Sequence, residues 1–233
     1  AFANTNAHTL TFTGTSTYTN TFAGVIPDGV VSNTTVLKSG TGLWMLTGSN
    51  TYSGGTTLSA GTLLINSDSA LGVSTGKVYF SGSSAIKSAG SNVTLGAERT
   101  LFLTNAAATA QFGVSDTSNL YVASYLTGTG AVKKADSSFS LGAVRFMNDT
   151  NDYTGDFSVG FGTAEFTSVA NQGTPSSLGK GASGTGGTIT VANNNSAGTL
   201  RYVGTNNSST TRALNWTATT GGYALDASGA GTI

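Results

Sequence analysis

Apolar residues recur two positions apart along the whole chain, separated by small polar ones. Leu10 and Phe12 fall on one face of an extended segment, with Thr9, Thr11 and Thr13 on the other. The same spacing returns at Trp44/Leu46, Leu63/Ile65, Val78/Phe80, Leu101/Leu103, Val144/Phe146, Ala164/Phe166, Ile189/Val191, Leu200/Tyr202 and Leu214/Trp216. A period of two is the mark of a strand with one buried face, and each such pair predicts one. Gly-Gly, Ser-Gly, Asn-Asn and Asp-Gly breakers punctuate the runs, so strands arrive about every ten to fifteen residues. No segment sustains helical apolar spacing, and glycine falls too often for long helices. The chain is therefore all-β: a sandwich, a barrel or a solenoid.

A repeat selects among these. Residues 40–72 run from a Gly-Thr-Gly turn through Asn50, Tyr52, Ser53 and Gly54 to a strand at Gly61–Ile65 and a closing Ser-Ala-Leu-Gly. Residues 128–179 follow the same order: Gly-Thr-Gly, then Asn151, Tyr153, Thr154 and Gly155, then Gly162–Phe166, then Ser-Ser-Leu-Gly. What repeats is turns and strands rather than any reactive group. Repetition of that kind predicts stacked rungs, because a single rung cannot bury its apolar face alone. With about 20 residues per coil and about 4.8 Å between coils, one solenoid spanning residues 1–233 would have about eleven coils and a length of about 50 Å.

Composition narrows the function. Charged residues make up 9% of the chain and cancel to a net charge of zero. Phosphate-backbone binding needs clustered Lys and Arg, so nucleic acid is excluded as a partner. Cysteine is absent, which removes disulfides, thiolate metal sites and thiol nucleophiles. No apolar run is long enough for a membrane-spanning helix, so this segment is not expected to insert. The opening AFANTNAHTL has no basic region of the kind that starts a signal peptide.

The stretch Leu46–Asn66, LTGSNTYSGGTTLSAGTLLIN, resembles the autotransporter-associated β-strand repeat, also called the passenger-associated transport repeat. The second copy departs from that pattern, with Asp152 for Thr, Asp156 for the second Gly, and Phe161 before the Gly-Thr strand. The resemblance implies a right-handed parallel β-helix displayed outside a Gram-negative-type cell. In larger proteins similar to this one, a segment like residues 210–233 runs into one like residues 1–29. The resemblance thus implies that the unit continues into further copies, head to tail.

Sites of chemistry are scarce. The acidic residues are scattered, and His8 is the sole histidine, so no catalytic constellation and no resident cofactor is expected. Residues 148–156 concentrate oxygens at Asn148, Asp149, Asn151, Asp152 and Asp156; Asp149, Asp152 and Asp156 are a weak calcium candidate. The same residues are ordinary turn formers, and the spacing matches neither an EF-hand nor a GGxGxD repeat. Tyr18, Trp44, Tyr52, Tyr153 and Trp216 form a candidate glycan-stacking set. Against it, the equivalent turn positions of Tyr52 and Tyr153 predict a shared packing role, and the alternating context of the tryptophans predicts that they fill or cap the core. Asn-x-Ser/Thr sequons at Asn33, Asn92, Asn148, Asn194, Asn206, Asn207 and Asn215 are expected by chance in a chain this rich in those residues. The sequence thus predicts a non-enzymatic stalk, spacer or filament subunit, with a glycan-binding adhesin domain as the alternative.

Overall fold

A computed structural model describes residues 7–135, 142–182, 187–191, 197–217 and 222–233. The chain runs β1 (His8–Phe12), β2 (Asn20–Phe22), β3 (Thr34–Lys38), β4 (Leu43–Leu46), β5 (Thr56–Leu58), β6 (Gly61–Ile65) and β7 (Val78–Phe80). It continues through β8 (Ser84–Ser88), β9 (Val93–Leu95), β10 (Thr100–Leu103), β11 (Thr109–Val114), β12 (Leu120–Val122), β13 (Tyr125–Gly128) and β14 (Ala131–Lys134). It closes with β15 (Ala143–Phe146), β16 (Phe157–Val159), β17 (Gly162–Phe166), β18 (Ile189–Val191), β19 (Gly198–Tyr202), β20 (Leu214–Trp216) and β21 (Tyr223–Ala227). A 3-10 turn at Asp68–Leu71 is the only helical element among the described residues.

Among the described residues, strands pair in parallel and each pairing joins one coil to the next. Three sheets result: a first of six strands from β1 to β13, a second of nine from β2 to β20, and a third of six from β9 to β21. This is a parallel β-solenoid, as the repeat predicted, but with about eight turns rather than eleven. The shortfall lies in the corners. Trp44 stacks on Leu63, 19 positions later, whereas Phe157 stacks on Ile189, 32 positions later, so the number of residues between stacked positions varies from rung to rung. At about 4.8 Å per rung the stack is nearer 40 Å than 50 Å.

All ten apolar pairs read from the sequence lie within strands; nine pack in or against the core, and the tenth, Leu214/Trp216, is in register with core residues Ile189 and Val191 but exposed on the last rung. Register lines them up in columns. One column in the second sheet runs Asn20, Trp44, Leu63, Ile86, Phe112, Lys134, Val159, Val191, Trp216. Its apolar middle members are essentially sealed from solvent, and burying such a side chain stabilises by about 1.5–3 kcal/mol. The two tryptophans sit near opposite ends of this column. Trp44 packs on Phe12 (centroids 5.0 Å apart) and donates Nε1–H to the Thr13 carbonyl at 2.8 Å. Trp216 ends the column, 39% exposed and stacked on Tyr223.

The stretch 81–122, where the sequence repeat fades, forms regular coils that contain β8 to β12. Two inward lysines interrupt the apolar columns. Lys38 lies between Phe12 and Leu58 in register, and its Nζ donates to the carbonyls of Ser39, Gly40 and Ala60 (3.2, 2.9 and 3.1 Å). It thereby supplies hydrogen bonds to a corner whose carbonyls have no strand partner. Close packing of these corners explains Gly61. It has φ +70°, and a Cβ there would lie 2.5 Å from the Gly40 carbonyl oxygen.

Candidate functional site

The repeated residues assemble into a clamp between coils, built twice. In the first copy Asn50 is buried in a turn. Its Oδ1 accepts from Ile26 N of the preceding coil (2.8 Å), and its Nδ2 donates to the Ala70 carbonyl of the following one (2.7 Å). Asn151 does the same, accepting from Leu126 N (2.8 Å) and donating to the Ser177 carbonyl (3.2 Å). An amide has one acceptor end and one donor end, which suits it to bridge an N–H below and a C=O above.

Two residues on from each Asn, a tyrosine is fully buried. Tyr52 lies against Gly72 and Tyr153 against Gly179, the glycines that close the two Leu-Gly sequences. The Tyr52 carbonyl accepts from Val73 N, and the Tyr153 carbonyl accepts from Lys180 N. Burial pushes the Tyr52 hydroxyl up to about 12, only partly offset by its 2.6 Å bond to Thr56 Oγ1 and by the Arg99 charge. Tyr153 is raised further by the same cause. The shared packing role expected of these tyrosines is what the structure shows. Neither is available to stack on a sugar.

An arginine completes each clamp, a member that neither the periodicity nor the repeat revealed. Arg99 is buried and donates to the carbonyls of Leu71, Gly72, Gly76 and Asp68, while Nε and Nη2 each bond the Asp68 carboxylate at 2.9 Å. Arg212 donates Nη1–H to the carbonyls of Leu178 and Gly179 and Nε–H to that of Gly187. Both arginines stand two residues before an inward leucine, Leu101 and Leu214. That Arg-x-Leu spacing was the available signal.

The two clamps do not sit on the same face. In the first copy the Gly-Thr strand is β6, in the second sheet; in the other copy it is β17, in the third. The motif has advanced by one face of the solenoid while its internal contacts persist, because each contact joins neighbouring coils and none depends on which sheet carries it.

Asp149, Asp152 and Asp156 are not brought together. Asp149 accepts from the hydroxyls of Thr167 and Ser168 (2.7 Å each), and Asp156 accepts from the amides of Gly187 and Thr188 (2.8 Å each). No group of three or more His, Cys, Asp or Glu side chains suited to a metal occurs among the described residues. Of the remaining glycan candidates, Tyr18 is 84% exposed, whereas Trp44 and Trp216 belong to the ends of the stack. The outer face carries other ladders. Tyr79 stacks on Phe102 at 5.2 Å. Along the third sheet Tyr121, Arg145, Glu165, Arg201 and Asp226 occupy successive rungs. There Arg145 lies over the Tyr121 ring, and ion pairs link Arg145–Glu165 (2.6 Å), Arg201–Glu165 (3.3 Å) and Arg201–Asp226 (2.7 Å). Asp136 and Asn194 lie outside the described residues.

Parallel coils stacked on repeated clamps define the class as a β-solenoid built from a rung-forming repeat. The family described as Passenger-associated-transport-repeat matches residues 36–65, which hold Asn50, Tyr52 and the strand Gly61–Ile65. The chain is 32% identical over 235 aligned residues to "Adhesin BmaC autotransporter" of Brucella suis biovar 1 (strain 1330), an alignment covering 98% of this chain and 6% of that protein. Residues 36–65 thus carry a passenger-associated transport repeat, within a chain that is similar along nearly its whole length to a small part of an autotransporter adhesin. The chain spans a small fraction of the length of the relative it matches. No solved structure matches it.

Proposed function

We propose that this chain is a non-enzymatic, extracellular β-solenoid module of a Gram-negative autotransporter passenger, serving as stalk or spacer and stacking head to tail with further coils of its own kind. The observation that carries this reading is the state of the last rung. Leu214, Trp216 and Leu225 occupy inward positions and are 39%, 39% and 47% exposed, whereas their register partners Ile189, Val191 and Leu200 are at most 2% exposed. Exposed apolar side chains in core positions are complementary to another rung. Apolar residues near the first coil, Val25, Val30 and Val31, are exposed as well. A contact between unlike ends does not close on itself and builds a rod.

A chain of two fused copies tests this. Stacking predicts that Trp216 of the first copy is buried, with blue-shifted emission protected from quenchers, and that the two copies melt as one unit above the single copy. Independent melting with a solvent-exposed Trp216 rules the stacking out.

The name of the Brucella relative favours adhesion as a second reading. Tyr18 is the most exposed of the aromatic candidates. Saturable binding to immobilised glycans that is lost in Tyr18→Ala would support adhesion, and its absence over a broad array would count against it.

A further inference from the structure

The second clamp has lost two partners that the first retains, and both losses leave a buried donor. In the first copy Tyr52 Oη bonds Thr56 Oγ1, and the Arg99 guanidinium is neutralised by Asp68. Four residues beyond Tyr153 stands Phe157 in place of that threonine, and the residue preceding Ser-Ser-Leu-Gly is Pro175 in place of that aspartate. Tyr153 Oη and Arg212 Nη2 are accordingly buried without a hydrogen-bond partner. Tyr153 is sealed from solvent and Arg212 is 6% exposed. Both side chains bear on Gly179: the tyrosine ring by packing, the arginine through a bond to the carbonyl.

An orphaned buried donor costs about 1–3 kcal/mol, and more when it is charged. The partners Arg212 does have are backbone carbonyls, which satisfy its N–H groups without cancelling its charge. The carboxylate that acts on it electrostatically is Asp156, and that side chain's Oδ1 is engaged by two backbone amides. The first clamp shows what such a guanidinium takes at this position: its Nη2 holds an anionic oxygen at 2.9 Å.

We propose that Arg212 and Tyr153 bind a small monovalent anion of chloride size, which supplies the negative charge that Asp68 supplies in the first clamp. Both groups donate, the site is shielded from water, and a guanidinium beside a phenol hydroxyl matches a halide by charge and by hydrogen bonding. A single water would satisfy the donors but leave the charge uncompensated, and it is the competing outcome.

Crystals grown in bromide test the assignment. The expected result is an anomalous peak within hydrogen-bonding distance of Arg212 Nη2 and Tyr153 Oη, with none beside Arg99, whose carboxylate is built in. In solution, the melting temperature should rise saturably by a few degrees when chloride or bromide replaces gluconate at constant ionic strength, as expected for a ligand that binds only the folded state. Pro175→Asp should abolish both the peak and the halide dependence. Should that variant misfold, the contrast between Arg212 and Arg99 within one wild-type crystal still decides. Absence of a bromide peak at Arg212, or a peak of equal height at Arg99, overturns the proposal.

Discussion

Tyr52 and Gly72 meet so closely that the glycine has no room for a side chain. A Cβ at Gly72 would lie 2.4 Å from the Tyr52 carbonyl oxygen and 2.9 Å from the tyrosine ring, and its φ is +80°. Gly179 stands in the same relation to Tyr153, with a Cβ-to-ring distance of 2.6 Å. The closing Leu-Gly of each repeat is therefore the seat of a tyrosine from the preceding coil. Gly72→Ala should destabilise the chain through both clash and backbone strain. Gly90→Ala separates the two, because Gly90 has φ +76° but a Cβ there would meet nothing within 4 Å. The expected outcome is a loss of about 1 kcal/mol for Gly90→Ala and at least about 3 kcal/mol for Gly72→Ala by chemical denaturation. Equal losses would mean that the Tyr52 contact is not what requires the glycine.

Asn50 ties three coils together with one side chain. Removing it as Asn50→Ala leaves Ile26 N and the Ala70 carbonyl buried without partners, at about 1–3 kcal/mol each. Asn50→Asp keeps the acceptor but sets a carboxylate oxygen against a carbonyl. Both variants should therefore unfold at lower denaturant, and Asn50→Asp should recover part of its stability as pH is lowered and the carboxyl gains a proton to donate. An Asn50→Asp variant as stable as wild type would show that the bond to Ala70 contributes nothing.

The inward and outward faces were legible because a strand's alternation is set locally: Val144 and Phe146 point inward in any sheet they join. The count of coils was not. It depends on corner length, and residues 167–187 give no periodic signal that they belong to one rung. Buried charge was equally hidden. Lys38 and Arg99 look like surface residues until the fold shows the carbonyls that surround them. Asn50 and Tyr52 were recognisable as a pair because the chain repeats them, while Arg99 and Arg212 share too little flanking sequence to stand out as the third member. The difference between the two clamps needed structure as well, since a proline for Asp68 matters only once that aspartate is seen to hold an arginine.

Carboxylates that cap backbone amides across coils should set the acid limit of stability. Asp28 accepts from Thr34 N (2.7 Å), Ser53 N (3.0 Å) and Ser53 Oγ (2.7 Å); Asp116 accepts from Gly90 N (2.6 Å) and Ser118 N (2.7 Å). Partial burial raises each carboxyl, but the hydrogen bonds outweigh it and hold both below the usual 3.8. A carboxylate with a depressed folded-state value contributes stability that is present above its unfolded value and lost as pH falls through the folded one. Melting temperature should therefore drop as pH is taken below about 4. In Asp28→Asn with Asp116→Asn the drop should be shallower, from a lower starting point at neutral pH. An unchanged acid slope in the double variant would assign the acid limit to other groups.

On the alkaline side the lumen lysine should act in the opposite sense. Lys134 lies between Phe112 and Val159 in register and is sealed from solvent. Burial, with the nearby Lys87 ammonium adding to it, pushes its ammonium down to about 7 from the usual 10.5. Below about 7 both folded and unfolded chains carry the proton, and the folded state bears the cost of burying a cation. Between about 7 and 10.5 the unfolded chain binds a proton that the folded chain has released, so stability rises with pH. The buried tyrosines work the other way, but only above about 10, where the unfolded chain's phenols ionise and those of Tyr52 and Tyr153 resist. A scan from pH 6 to about 9.5 thus leaves the tyrosines out, and because burial also holds the Lys38 and Lys87 ammonium groups below the usual value, the Lys134 contribution is read as the difference from a Lys134 variant. Wild type should gain melting temperature across that window relative to Lys134→Met, which keeps the length of the side chain and has nothing to titrate. Parallel curves for the two proteins would mean that Lys134 keeps its charge in the folded state throughout, held by a partner strong enough to offset its burial.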